Sequence, residues 1–160
     1  MKQLPITEKE NYTKFHRFAY KDDLKHAELT YSEFPRWSII SGYYCMHDIT
    51  KLFLAEKYNI KITSPEIHAK AIDALAKCLT DKMLKDKLIE LLKQAENFYY
   101  SVERLKEKTL LTLLKRGKQE RGKAQYYSED FSKHANSEKA LYFIENIVRP
   151  YVNLIEELMK

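Results

Sequence analysis

Apolar residues recur at intervals of three and four along most of this chain, and that spacing is typical of amphipathic helices. The repeat breaks at Pro35, after Tyr58, after Cys78 and between Lys115 and Ala135. Five helices are therefore predicted, over about 7–34, 36–58, 64–78, 80–114 and 136–160. The short connections favour an all-α, up-and-down bundle of four or five helices that forms a single domain over residues 1–160.

Residues with capping chemistry stand where these helices should begin. Thr7 and Glu10 have the spacing of a capping box, Ser64 precedes a first-turn Pro65, and Thr80 and Asp81 offer a start for the fourth helix. Asn136 or Ser137 is predicted to cap the last helix, and Pro150 should kink that helix or mark a step in it.

The apolar positions of each helix indicate which face it buries. The second, fourth and fifth predicted helices have long apolar faces and should supply most of the core. The first is more polar and should lie on the surface, with an apolar stripe made of Phe15, Phe18, Ala19 and Leu29.

Composition excludes several classes of protein. With three glycines and four prolines, the chain suits long helices better than a β-sandwich or a glycine-rich nucleotide fold. Cys45 and Cys78 form no CxxC pair, so neither a zinc knuckle nor a redox motif is expected. A metal held by His47, Asp48 and His68 is a weak alternative, and no metal or cofactor is predicted. No signal core or membrane-length apolar run is present, which makes the cytoplasm the expected location and a membrane partner unexpected. The net charge of +5 mildly favours acidic partners such as nucleic acids.

The second predicted helix is apolar on most sides yet carries His47, Asp48 and Lys51 within two turns. Burying ionisable groups is costly, so this segment is the first candidate for a functional site. Tyr44 and His47 share one face of the helix, while Asp48 and Lys51 can pair with each other, and His47 is a candidate proton acceptor. Hydrogen bonding in the core and a structural ion pair are the competing interpretations.

The segment Tyr43-Tyr44-Cys45-Met46-His47-Asp48, followed by Lys51-Leu52-Phe53-Leu54, resembles the YYAMFHAAKALL-type signature of prokaryotic HEPN domains. Ile67-His68-Ala69 resembles the family's Ser/Thr-x-His segment, and Arg121 to Tyr126 resembles its Arg-x-x-Ala-Asp-Tyr loop. The resemblance covers about residues 15–158. It implies a HEPN-like helical fold and a nucleotide or RNA context.

Two departures from the family pattern bear on activity. His47-Asp48 stands where the signature has Phe-His, and Gln125 stands where the loop has Asp. Catalytic HEPN ribonucleases carry Arg-x(4 to 6)-His, in which the Arg binds phosphate and the His acts in metal-independent cleavage. No Arg precedes a His at that spacing in this chain, so the resemblance implies the fold more firmly than the activity.

The loop between the last two predicted helices interleaves basic and aromatic residues, as RNA-binding surfaces do. Arg121 beside Gly122 is the best candidate to grip a phosphate, Lys118 adds positive charge, and Tyr126 offers a ring for base stacking. An ordinary solvated loop is the alternative. The predicted ligand-binding residues are Tyr44, His47, Asp48, Lys51, His68, Lys118, Arg121 and Tyr126.

Three functions remain open. The first is a homodimeric, non-catalytic nucleotide- or RNA-binding module, acting with a partner such as a minimal nucleotidyltransferase in a toxin-antitoxin or defence context. The second is a metal-independent ribonuclease that combines Arg121 with His47 or His134 in a non-standard site. The third is a purely structural helical dimerisation protein.

Overall fold

The computed structural model describes residues 1–115, 133 and 135–160, with side chains described for 1–103, 133 and 135–160. The described part is an all-α helical bundle, as predicted, with one short pair of strands. Its elements are β1 (Lys2–Gln3), α1 (Ile6–Thr30), α2 (Pro35–Tyr58), β2 (Ile60–Lys61), α3 (Ile67–Cys78), α4 (Lys82–Lys115), α5 (Ser137–Phe143), a π-helical turn (Ile144–Val148) and α6 (Arg149–Met159).

Helix α2 is the centre of the bundle, and nearly all of its residues from Ser38 to Ala55 are buried. It forms an antiparallel hairpin with α1. Ser38 Oγ donates to the carbonyl oxygen of Ala27 at 2.7 Å near the turn, and Lys9 Nζ contacts Glu56 O at 3.5 Å near the open end. The strands β1 and β2, which sequence analysis did not predict, pair antiparallel beside that open end.

The remaining helices cover the other sides of α2. Arg36 Nη2 contacts Glu103 Oε1 at 3.3 Å, and Tyr44 lies beside Tyr99, so α4 runs antiparallel to α2. Thr50 Oγ1 and the Tyr151 hydroxyl lie 2.5 Å apart, which joins α2 to α6 through a fully buried contact. The predicted second, fourth and fifth helices therefore do supply most of the core.

Gly42 allows α2 to approach the α5 segment closely. A Cβ atom at this position would lie 2.9 Å from Phe143 Cε1 and 3.0 Å from Val148 Cγ2, which is closer than ordinary van der Waals contact. The absence of a side chain at residue 42 therefore sets how near the two segments can pack.

Two predicted caps are confirmed by hydrogen bonds. Asp81 Oδ1 accepts from Leu84 N at 3.0 Å at the start of α4, and Asn136 Oδ1 accepts from Lys139 N at 2.8 Å at the start of α5. The step predicted at Pro150 is present as the π-helical turn that ends at Val148. The start predicted at Ser64 and Pro65 was wrong, because the third helix begins at Ile67 after Glu66, whose backbone is left-handed, and no side chain caps it.

The predictions for the first helix were wrong in two respects. The helix begins at Ile6 after Pro5, and no side chain caps it, so the Thr7 capping box does not form. Phe15, Phe18 and Leu29 are exposed, whereas the residues that α1 buries are His16, Tyr20 and Ala27. Polar partners explain which face of α1 turns inward. His16 forms a hydrogen bond with Asp48 on α2, and the Tyr20 hydroxyl donates to Glu156 Oε1 on α6.

Candidate functional site

A narrow strip of α2 remains reachable from solvent while the rest of the helix is covered. Between Ser38 and Ala55, Tyr44 is the one exposed residue, with 41% of its surface accessible, and Asp48 and Lys51 are half-buried. These three residues recur at intervals of four and three and so lie in one line along the helix. We call them the α2 stripe.

A cluster of four rings lies beside the α2 stripe, where α2, α3 and α4 meet. Tyr43 stacks on Tyr99 with ring centroids 4.2 Å apart and on His68 with centroids 5.1 Å apart. The His47 ring meets the His68 ring edge to face at 4.0 Å and the Tyr43 ring at 4.6 Å. We call Tyr43, His47, His68 and Tyr99 the ring cluster.

Three polar atoms of the ring cluster are buried without a hydrogen-bond partner among the described residues. They are the Tyr43 hydroxyl oxygen and the Nδ1 atoms of His47 and His68. Buried polar atoms are nearly always paired in folded proteins, and leaving one unpaired costs about 1–3 kcal/mol. Three such atoms in adjacent rings make the ring cluster a candidate functional site, because folding stability alone does not favour this arrangement.

Both histidines are held in the neutral form. Burial lowers the pKa of His47 well below 6.5, and the positive charge of Lys51 acts in the same direction. Burial and Lys51 also lower the pKa of His68, against an opposing effect of Asp48. At neutral pH, each ring therefore presents one nitrogen that donates and one that accepts.

The charged end of the α2 stripe is nearly neutral overall. His16 Nδ1 donates to Asp48 Oδ1 at 2.7 Å, and Lys51 Nζ lies 3.3 Å from the same oxygen. Burial acts to raise the pKa of Asp48, but the His16 hydrogen bond and Lys51 outweigh it, so the pKa is lowered. Because Asp48 stays ionised and offsets Lys51, this end of the site attracts a free phosphate only weakly.

The tyrosines at the other end of the α2 stripe are exposed or partly exposed. The Tyr44 and Tyr99 hydroxyls lie 3.3 Å apart, and their rings meet edge to face at 5.9 Å. Tyr100 contacts Tyr99 in turn, with centroids 5.5 Å apart. Partly exposed tyrosines of this kind can stack on a planar ligand and hydrogen-bond to its edge.

Five predicted site residues meet in this region: Tyr44, His47, Asp48, Lys51 and His68. The other three, Lys118, Arg121 and Tyr126, lie outside the described residues, as does His134. Sequence reasoning missed Tyr43, Tyr99 and His16 as members of the site. A signal for Tyr99 was present in the run Phe98-Tyr99-Tyr100, which puts aromatic rings on more than one face of α4.

Other features of the described structure hold none of the predicted residues. A surface groove of about 410 Å³ lies between α4 and α5 and is lined by Asn97, Phe98, Ser101, Lys139 and Tyr142. In the part of the chain that the structure describes, no group of three or more His, Cys, Asp or Glu residues is arranged to hold a metal ion. No helix within the described ranges combines the length and apolarity needed to cross a bilayer.

No family model, curated protein or solved structure matches this chain.

Proposed function

We propose that this protein is a nucleotide- or RNA-binding helical module without catalytic activity of its own. The observation that carries the proposal is the exposure of Tyr44 within the otherwise covered stretch of α2 from Ser38 to Ala55, directly beside the partly exposed Tyr99. Stacking on tyrosine is available to every nucleobase.

Two further observations support this proposal. The α2 stripe and the ring cluster contain five residues of the HEPN-like segment Tyr43 to Leu54, together with His68 from the second resembling segment. The net charge of +5 favours a polyanionic ligand. Phosphates would then be met by Lys118 and Arg121, with Tyr126 adding a stacking surface.

Burial of His47 supports the non-catalytic form of the proposal over the ribonuclease alternative. A general base must come within hydrogen-bonding reach of the proton that it removes. His47 is 1% exposed, so a phosphodiester cannot reach its ring in this structure.

The experiment that tests the proposal is a fluorescence-anisotropy titration with labelled single-stranded RNA and with a labelled adenine mononucleotide. Replacing Tyr44 with Ala should weaken binding of both ligands by about 1–3 kcal/mol, since one stacking ring is lost. Tyr142→Ala is the matched control, because Tyr142 is an exposed tyrosine on α5 that belongs to neither the α2 stripe nor the ring cluster. Equal affinities for wild type and Tyr44→Ala would refute the site.

A denaturing gel of end-labelled RNA incubated with the protein in chelator separates binding from cleavage. Intact RNA is expected throughout. Cleavage that disappears in His47→Ala or Arg121→Ala would instead establish the metal-independent ribonuclease.

The proposal includes two assemblies that the HEPN resemblance implies, a homodimer and a complex with a nucleotidyltransferase that supplies the chemistry. Phe34 and Trp37 are exposed at the start of α2, where Arg36 lies 4.9 Å from the Trp37 ring, and they are candidates for a contact with a second chain. Light scattering after size exclusion tests the dimer, because the monomer mass is 19.1 kDa. A monomer at all concentrations would remove the homodimer from the proposal.

A further inference from the structure

The outward side of α1 exposes large aromatic residues that do not take part in packing the bundle. Phe15 and Phe18 are 63% and 70% exposed, although this helix buries other residues against α2 and α6. Large exposed aromatic residues next to each other on one helix mark an interaction surface more often than isolated ones do.

Three lysines border these phenylalanines. Lys14, Lys21 and Lys25 are exposed, and none of them forms an ion pair with another described residue. On a helix of 3.6 residues per turn they fall within a sector of about 40° and span about 16 Å. We call Lys14, Phe15, Phe18, Lys21 and Lys25 the α1 face.

We propose that the α1 face is a second binding surface, which holds single-stranded RNA by its phosphates and by stacking of its bases. The three lysines meet the phosphates, and the two phenylalanine rings stack on unpaired bases. Charge complementarity identifies the partner, because the three lysines outnumber the exposed carboxylates on this side of the helix, Glu10 and Asp22, and leave a net positive charge for a polyanion. The inference depends on the proposed function only for the choice of RNA as the polymer.

An anionic membrane surface is the competing partner, and the polar residues within the face argue against it. Asn11 and Asp22 lie four residues before Phe15 and four residues after Phe18, on the same side of the helix. Inserting a carboxylate and an amide among acyl chains is costly, whereas both groups can hydrogen-bond to base edges.

The α1 face is joined to the proposed nucleotide site through His16. The Phe15 ring contacts the His16 ring edge to face at 5.1 Å, and His16 donates to Asp48 of the α2 stripe. A strand that stacks on Phe15 is therefore close enough to continue toward the α2 stripe.

The experiment measures binding of a 20-nucleotide oligouridine by fluorescence anisotropy at salt concentrations from about 50 to about 300 mM. Binding through phosphate contacts weakens strongly over this range. In the triple variant Lys14→Gln/Lys21→Gln/Lys25→Gln, the slope of log K against log salt should become shallower by about 2, since each phosphate contact contributes about 0.7. The matched control, Lys82→Gln/Lys87→Gln/Lys93→Gln, removes the same charge from exposed positions of α4. It should leave the slope near the wild-type value.

Stacking is tested with Phe15→Ala/Phe18→Ala, which should weaken single-strand binding by about tenfold or more and leave duplex RNA binding unchanged. Equal slopes for the two lysine variants, or equal losses on single strands and duplexes, would overturn the proposal. Binding to vesicles containing phosphatidylserine that is lost in the α1 variants, with RNA binding intact, would assign the face to membranes.

The mononucleotide separates this inference from the proposed function, because it is too short to bridge both surfaces. Loss of mononucleotide binding in Tyr44→Ala together with wild-type RNA binding by the α1 variants would leave the proposed function standing and refute the α1 face. Normal mononucleotide binding by Tyr44→Ala together with RNA binding that depends on the α1 lysines would refute the proposed nucleotide site and leave the α1 face standing. If the wild-type protein binds no RNA, the α1 proposal fails outright.

Discussion

The ring cluster and the α1 face depart from the usual distribution of residues in opposite directions. Among the described residues, the ring cluster buries polar atoms that have no hydrogen-bond partner, whereas the α1 face exposes phenylalanines beside lysines that form no ion pair. Folding alone favours neither arrangement, because the first loses hydrogen bonds with water and the second leaves apolar surface hydrated. The comparison teaches that the stability of the fold should depend strongly on the ring cluster and hardly at all on the α1 face, although each region is proposed to contribute to nucleotide or RNA binding.

The largest expected effect is on the stability of the Tyr43→Ala variant. Tyr43 is fully buried and stacks on two other rings, so its truncation should lower the free energy of unfolding by about 3–5 kcal/mol. Urea unfolding measures it. Phe18→Ala on the α1 face is the comparison variant and should change stability by less than about 0.5 kcal/mol. Similar losses in the two variants would abolish the distinction between the regions.

An intermediate effect is expected for Asp48→Ala, which leaves His16 Nδ1 and Lys51 without their common acceptor. The loss at pH 7 should be about 2 kcal/mol, because the hydrogen bonds involve charged groups. Since the pKa of Asp48 is lowered in the folded state, its contribution is present above about pH 3.8 and is lost as the pH falls below that value.

The control for Asp48 is Asp73→Ala, because Asp73 pairs with Lys77 at 2.7 Å on an exposed part of α3. Exposed pairs contribute little, so this variant should be nearly neutral in urea unfolding at pH 7. Equal losses in the free energy of unfolding for Asp48→Ala and Asp73→Ala would show that burial does not strengthen the contribution of Asp48 to stability.

The smallest effect concerns the dependence of stability on pH in His47→Leu. The folded-state pKa of His47 is lowered, so the unfolded chain takes up the proton first, and stability falls as the pH drops below about 6.5. Between pH 6.5 and 5 the wild type should lose up to about 1 kcal/mol per pH unit more than His47→Leu. Urea midpoints at each pH measure the slopes, and identical slopes would contradict the neutral assignment of His47.

The parts of the fold that could be predicted were those fixed by local chemistry. The extent of α2 and the caps at Asp81 and Asn136 depend on neighbouring residues, and the sequence contains those residues in order. The orientation of α1 could not be predicted this way. Phe15, Phe18 and Leu29 have the spacing of a buried stripe, but the helix is turned by partners on α2 and α6 that are distant in the sequence.

The same distinction applies to the candidate site. Tyr44, His47, Asp48 and Lys51 were predicted together because they lie on one helix, where spacing determines proximity. The contact between His47 and His68 and the stacking of Tyr99 on Tyr43 join three helices, so only the tertiary structure reveals them. Lys118, Arg121 and Tyr126 stay predictions, since they lie outside the described residues.

The contact between Thr50 and Tyr151 has a consequence for the order in which the protein assembles during synthesis. The α1–α2 hairpin needs residues within the first 58 positions, so it can begin to form early, while the nascent chain is still short. The hydroxyl of Thr50 cannot form its contact until Tyr151, 101 residues later in the sequence, has been translated. Until Tyr151 emerges from the ribosome, one side of α2 stays uncovered, and the growing chain is most prone to aggregation in that interval.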